Sequence, residues 1–190
     1  MKRWEVINSL IQKHDYLRYL EIGVDNPNNC FNKIIAPHKY GVDPKGGGTH
    51  RMTSDRFFAE NRFFYDIIFI DGLHIAEQVI RDVENSLCCL AQGGVILVHD
   101  LNPQTEEEQN ENRTTQRWYG STWRAWAYFR ATRPDLHMQT IDTDCGIGII
   151  HRGGQEIYKG PCASWQDFVN NRQEILNLVP VEEFQKCLSM

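Results

Sequence analysis

The 190-residue sequence predicts an α/β protein whose open, mostly parallel sheet carries helices on both faces. In the first half of the chain, short apolar runs that end in an acidic residue alternate with amphipathic helical patterns. Such alternation is typical of right-handed β-α-β crossovers. Further on, two apolar segments flank a short turn at 143–145, which predicts an antiparallel closing hairpin. Together these features predict a Rossmann-like architecture.

Periodicity predicts the elements of the parallel part. Trp4, Ile7 and Ile11 share a helical face, so an N-terminal helix is expected over 3–14. The expected parallel strands are 16–24, 38–43, 49–53, 65–71 and 95–100. The helices expected between them are 30–36, a helix capped by Ser54 that runs through Asn61, and 75–91.

After residue 100 the pattern changes. Residues 101–117 are acidic and almost free of apolar side chains, which predicts either a functional flap or a solvated, disordered loop. The elements expected beyond it are a helix at 122–132, hairpin strands at 138–142 and 146–151, and helices at 165–178 and 181–188. We expect one domain over 1–190, with a core at 15–153 and a helical tail at 154–190.

Composition narrows the class of protein. The net charge is -5 and no basic patch is visible, so a nucleic-acid partner is not expected. The 6 cysteines are scattered without a C-x-x-C motif, which favours reduced thiols. The N-terminal segment is charged and no apolar run reaches the length of a membrane span. We therefore expect a cytoplasmic protein without a membrane partner, and homo-oligomerisation stays open.

Acidic residues mark the ends of the predicted parallel strands, where open sheets of this kind bind ligands. These residues are Glu21, Asp43, Asp71 and Asp100. The turn after the first strand contains Gly23 but lacks the G-x-G-x-x-G pattern of dinucleotide-binding turns. Glu21 would repel a pyrophosphate and could accept hydrogen bonds from an amine, whereas Asp43 could take both ribose hydroxyls of an adenosine.

Four segments, YLEIGV (19–24), YGVDP (40–44), DIIFIDGLH (66–74) and GGVILVHD (93–100), resemble class I S-adenosylmethionine-dependent methyltransferases. The order of these motifs covers 15–153 and is most similar to the small O-methyltransferase-like branch related to macrocin O-methyltransferase. The cofactor-binding residues that the resemblance implies are Glu21, Gly23, Val24, Asp43, Thr53, Ser54 and Asp71. The sequence departs from the family pattern at 25–28, where a further glycine is usual.

A divalent cation is a second expectation at this edge. Asp71 and Asp100 end neighbouring predicted strands, so their carboxylates could reach one Mg²⁺ ion, with Asn102 or His99 as a third ligand. The alternative is that Asp71 caps the following helix and Asp100 bonds to the flap.

His74 follows Asp71 by three residues, and the two are the expected catalytic residues. A neutral imidazole there could remove the proton of a substrate hydroxyl, the alternative being a histidine that caps or packs. His99 is a second candidate base. Trp118, Trp123 and Trp126 could form a stacking wall for the acceptor or simply belong to the core.

The sequence therefore predicts an S-adenosylmethionine-dependent methyltransferase that acts on a hydroxyl of a small molecule or glycan. Two alternatives remain open: an NAD-dependent oxidoreductase on a similar sheet, disfavoured by Glu21 and the single glycine, and a non-catalytic cofactor-binding or scaffold protein.

Overall fold

The structure is a computed structural model that describes residues 1–189. Its helices are α1 (Arg3–His14), α2 (Ser54–Glu60), α3 (Ala76–Cys89), α4 (Thr122–Thr132), α5 (Trp165–Leu176) and α6 (Val181–Ser189). Its strands are β1 (Arg18–Ile22), β2 (His38–Val42), β3 (Tyr65–Ile70), β4 (Leu90–Val98), β5 (Leu136–Ile141), β6 (Ile147–Arg152) and β7 (Leu178–Val179). Single 3₁₀ turns occur at Phe31–Lys33 and Glu107–Gln109.

The strands form one 7-stranded sheet in the order β2-β1-β3-β4-β6-β5-β7. β2, β1, β3 and β4 are mutually parallel, whereas β6 runs antiparallel to both β4 and β5. The predicted fold class is therefore confirmed, including the closing hairpin. The short strand β7 extends the sheet beside β5 and was not anticipated, because two residues carry no usable periodicity.

Helices cover both faces of the sheet, as predicted. One face packs against α2 to α5, with core residues such as Val83, Trp123, Trp126 and Phe168. The other face packs against α1, α6 and the turn at Phe31–Lys33. Trp123 and Trp126 are fully buried, so the core interpretation of these two tryptophans is the correct one.

The strand expected at 49–53 is wrong. His50 makes only an isolated parallel bridge to Val42, and the Thr49 hydroxyl accepts a hydrogen bond from the Gly41 amide at 3.0 Å. The segment then turns into α2, whose N-cap is Thr53 rather than Ser54, since the Thr53 hydroxyl accepts from the Arg56 amide at 3.3 Å. β2 is consequently the edge strand of the sheet.

Two other boundaries differ from expectation. The helix expected at 30–36 is a single 3₁₀ turn that is extended again by Ile34, where β-branched residues and Pro37 disfavour a longer helix. α3 ends at Cys89 and passes directly into β4, so Gly93 and Gly94 lie inside the strand. A register shift opposite Tyr65–Ile67 accommodates them.

No helix within residues 1–189 has both the length and the apolar composition needed to cross a bilayer. All 6 cysteines are free.

Candidate active site

The parallel register brings the ends of β1 to β4 to one edge of the sheet, called the carboxyl edge below. Parallel hydrogen bonding continues one residue beyond these strands: the Gly23 amide donates to the Val42 carbonyl at 2.8 Å, and the Asp71 amide donates to the Ile22 carbonyl at 2.8 Å. Three acidic residues follow β2, β3 and β4, and a fourth is the last but one residue of β1, so all four lie near one edge, as the sequence predicts. They are Glu21, Asp43, Asp71 and Asp100.

Gly23 allows the turn after β1 to pass directly against the end of β3. Its φ is +89°, and a Cβ at this position would lie 2.2 Å from the Asp71 carbonyl oxygen. No other residue type fits there. Val24, which was predicted to contact the cofactor, is 4% exposed and packs in the core beneath the turn.

Glu21 is a buried carboxyl group whose hydrogen-bond partner is the neutral Tyr19 hydroxyl, at 2.5 Å. Burial raises the pKa of Glu21 to about 8, and the Tyr19 hydrogen bond only partly offsets this shift. A positively charged ligand group would stabilise the ionised form of this carboxyl. The environment of Glu21 therefore fits the cationic methionine end of S-adenosylmethionine.

Asp43 organises the loops beyond β1 and β2. Its carboxylate accepts hydrogen bonds from the backbone amides of Asp25 (3.0 Å), Lys45 (2.7 Å) and Gly46 (3.2 Å). Each carboxylate oxygen offers about two acceptor sites. One acceptor site on the oxygen facing Asp25 remains for a ribose hydroxyl, so Asp43 can serve structure and cofactor together.

Thr53 and Ser54 lie at the start of α2. Besides the cap made by Thr53, the Ser54 hydroxyl accepts a hydrogen bond from the Gln78 side chain at 3.1 Å, which ties α2 to α3. Both residues thus have local structural partners.

Asp71 belongs to a closed ring of polar contacts with Arg3, Asp144 and His99, which the sequence analysis did not predict. The Arg3 guanidinium donates to Asp71 Oδ2 at 2.6 Å, and its Nε donates to Asp144 Oδ2 at 3.2 Å. His99 closes the ring, since its Nδ1 lies 3.2 Å from Asp71 Oδ1 and its Nε2 lies 2.7 Å from the Asp144 carbonyl oxygen.

These contacts define the protonation of His99. The Asp144 carbonyl can only accept, so Nε2 carries a proton, and Nδ1 faces carboxylate oxygens of Asp71 and Asp100. Burial by itself would lower the pKa of His99, but the charges of Asp100 and Asp71 raise it well above its ordinary value. His99 is therefore a buried cation, neither a base nor a free metal ligand.

His74 has a different environment. Its Nε2 lies 3.4 Å from Asp71 Oδ1, whereas its Nδ1 is buried, lies 3.3 Å from Asp100 Oδ2 and lacks hydrogen-bond geometry to any partner within residues 1–189. Burial lowers the pKa of His74, but the hydrogen bond to Asp71 and the charge of Asp100 outweigh it and raise the pKa. Asp100 has a φ of 58°, a strained conformation of the kind that concentrates at functional sites.

The segment 101–120 is anchored over His74. Trp118 stacks on the His74 ring with centroids 4.8 Å apart, and the Ser121 amide donates to the His74 carbonyl at 2.9 Å. Within the segment, the buried Glu108 carboxylate accepts from the amides of Gln104 and Thr105. An entirely solvated loop is therefore wrong, because an internal acceptor supplies the anchor that apolar side chains do not.

Asn102, the proposed third metal ligand, is engaged elsewhere. Its amide donates to Asp142 at 3.1 Å and its oxygen accepts from Arg172 at 3.0 Å. Asp71, His74 and Asp100 do place ligand atoms within 4.8 Å of one another. However, Arg3 already pairs with Asp71. A second group of possible ligands, His99, Asp100 and Cys145, would need a lone pair on His99, and both nitrogens of the protonated His99 carry hydrogen. As it stands, this donor set does not fit a divalent cation.

A cavity of about 320 Å³ lies at the opposite end of the sheet, between α1, α6 and the start of β4. It contains none of the predicted site residues.

Comparison with known proteins finds methyltransferases. Residues 37–101 match a family model described as a methyltransferase domain, which covers about a third of the chain. The fold around this segment is shared with solved O-methyltransferases. Among curated proteins, no sequence matches the chain.

Three solved structures illustrate the shared fold. A provisionally assigned O-methyltransferase from Klebsiella pneumoniae has a TM-score of 0.60 at 14% identity over 80% of each chain. An O-methyltransferase from Bacillus cereus in complex with S-adenosylhomocysteine has a TM-score of 0.55 at 14% identity, over 80% of this chain and 82% of the other. TomG from Streptomyces achromogenes, an O-methyltransferase of tomaymycin synthesis solved with S-adenosylmethionine, has a TM-score of 0.56 at 12% identity over 80% of each chain.

Proposed function

We propose that this protein transfers a methyl group from S-adenosylmethionine to a hydroxyl oxygen of a small molecule or sugar. The observation that carries the proposal is the state of His74, whose Nε2 is held by Asp71 while its buried Nδ1 has no hydrogen-bond partner in the described residues. The methyltransferase fold and the match over 37–101 support the cofactor.

The proposed cofactor site runs along the ends of β1 and β2. Glu21 would face the cationic methionine end, the Gly23 turn would leave the backbone accessible, and Asp43 would take a ribose hydroxyl. By resemblance, Thr53 and Ser54 belong to the same site, whereas the Val24 side chain packs in the core and supports the turn from below. When bound, S-adenosylmethionine supplies an already activated methyl group, so the main task of the protein is alignment.

The remaining task is proton removal. With Nε2 facing Asp71, a neutral His74 would take the acceptor's hydroxyl proton at Nδ1 as the oxygen takes the methyl group, which requires the acceptor to displace the groups that bury Nδ1. Asp100, 3.3 Å from Nδ1, would stabilise the resulting imidazolium. Trp118 stacks on one face of the imidazole ring and would exclude water from that face. No step requires a metal ion.

The acceptor class comes from the resemblance to the macrocin O-methyltransferase branch and from the action of TomG in tomaymycin synthesis. Both favour hydroxylated natural products or sugars.

The proposal is tested by measuring transfer of labelled methyl groups to a panel of hydroxylated sugars and phenols. We expect His74→Ala to lower kcat by about 10²–10⁴-fold, while the exposed His38→Ala control keeps wild-type turnover. Undiminished turnover in His74→Ala would leave alignment alone as the mechanism and remove His74 from it.

A further inference from the structure

Arg3 places a permanent positive charge inside the acidic cluster of the carboxyl edge. Its Nη1 lies 2.6 Å from Asp71 Oδ2 and its Nε lies 3.2 Å from Asp144 Oδ2. The side chain is 23% exposed and the carboxylates of Asp71 and Asp144 are 15% and 8% exposed, so these pairs are largely removed from water.

The backbone holds Arg3 in this position. The Arg3 amide donates to Asp144 Oδ2 at 2.8 Å, and the Thr143 hydroxyl donates to the Met1 carbonyl at 2.7 Å. Asp144 itself is in the left-handed conformation, with a φ of 40°, in the tight turn between β5 and β6. These hydrogen bonds tie the start of α1 to this turn and so hold the Arg3 guanidinium beside Asp71.

We propose that Arg3 is the resident cation of this site and occupies the place that a divalent metal ion would take. Asp71, His74 and Asp100 have ligand atoms within 4.8 Å of one another, which is a spacing that one ion could bridge. The oxygen of Asp71 that faces Arg3, Oδ2, already accepts a charged hydrogen bond, which leaves only Oδ1, the oxygen that faces His74 and His99, for a metal ion.

The local charge also opposes an added cation. The carboxylates of Asp71 and Asp144 face Arg3, and Lys2 lies 3.5 Å from Asp144. The carboxylate of Asp100 lies 3.1 Å from His99 Nδ1. A divalent ion at these carboxylates would bring two further positive charges close to Arg3. In a partly buried site, repulsion between cations at such short separations is strong. The site therefore works with a guanidinium in place of a metal.

This inference concerns the site of the proposed function, but its test does not depend on methyl transfer. The probe is Mn²⁺, measured by electron paramagnetic resonance and calorimetry on the full chain. We expect no binding to the wild type below about 1 mM. Arg3→Met removes the charge while keeping much of the apolar stem, and we expect it to bind Mn²⁺ at least about tenfold more tightly.

The gain should disappear in Arg3→Met/Asp71→Asn and should be absent from Arg3→Lys, which keeps a cation. Arg18→Met, an exposed arginine at the opposite end of β1, is the matched control and should behave as the wild type. Tight Mn²⁺ binding by the wild type that Asp71→Asn abolishes would overturn the inference. So would a folded Arg3→Met protein without any gain. If Arg3→Met does not fold, Arg3→Gln replaces it beside the wild-type titration, with the same expected gain in Mn²⁺ binding and the same contradicting result.

Discussion

His99 Nε2 donates a 2.7 Å hydrogen bond to the carbonyl oxygen of Asp144, which joins the end of β4 to the turn of the closing hairpin. Because the other ring nitrogen faces Asp71 and Asp100, this one imidazolium connects three segments of the site. Its charge compensates carboxylates that the fold has largely removed from water.

His99→Gln should therefore destabilise the protein. The change removes the buried cation nearest to Asp100 and one of the cations beside Asp71, which keeps Arg3, and we expect a loss of about 3 kcal/mol in the free energy of unfolding. The stabilisation by His99 is complete below the ordinary histidine pKa of 6.5 and is lost as pH rises through the raised folded pKa. Urea unfolding at several pH values measures both effects, with exposed His38→Gln as the control. Equal stability of the two variants at pH 6 would refute the assignment.

Glu21 predicts a second pH dependence. Its pKa is 4.5 in the unfolded chain and about 8 in the folded protein, so the folded state binds the extra proton and stability falls as pH rises between these values. A single group contributes a slope of at most about 1.4 kcal/mol per pH unit. Glu21→Gln should remove this contribution and flatten the dependence of urea unfolding on pH from 5 to 8. An unchanged slope would contradict the raised pKa.

The Glu108 carboxylate should control the order of the segment over His74. Glu108→Ala removes the acceptor for the Gln104 and Thr105 amides, so their hydrogen exchange should accelerate by about tenfold or more. The exposed Glu106→Ala is the control. Residues 111–116 lack buried side chains and should exchange rapidly in every variant. Strong protection there, or no response at Gln104, would argue against this anchor.

The base assignment predicts the direction of a pH-rate shift. His74 acts only when neutral, so turnover should rise with pH through its raised pKa. Asp100 is one cause of that raised pKa, and Asp100→Asn should move the rising limb of the profile to lower pH. A profile that keeps its position, with turnover lower at every pH, would indicate a merely structural role for Asp100.

The strand ends could be predicted because each apolar run stops at an acidic residue, and the parallel register then aligns Glu21, Asp43, Asp71 and Asp100. Contacts between segments that are distant in the sequence could not be predicted. Arg3 lies 68 residues from Asp71 and 141 from Asp144, and no local pattern encodes either pair.

The strand expected at 49–53 failed for a related reason. The His50 amide bonds to the Gly41 carbonyl in a single bridge to β2, but the Met52 amide bonds back to the His50 carbonyl, and periodicity alone does not distinguish such a turn from a strand. The same limit applies to the loop after residue 100. The anchors there are buried polar groups, and a composition argument treats those residues as solvated.

Binding of S-adenosylhomocysteine, measured by calorimetry beside NAD, separates a methyltransferase from a dinucleotide-binding protein and needs no acceptor. We expect S-adenosylhomocysteine to bind, Asp43→Ala to weaken the binding by about 1–3 kcal/mol, and His74→Ala to leave it unchanged. Binding of NAD without any response to S-adenosylhomocysteine would refute the proposed cofactor.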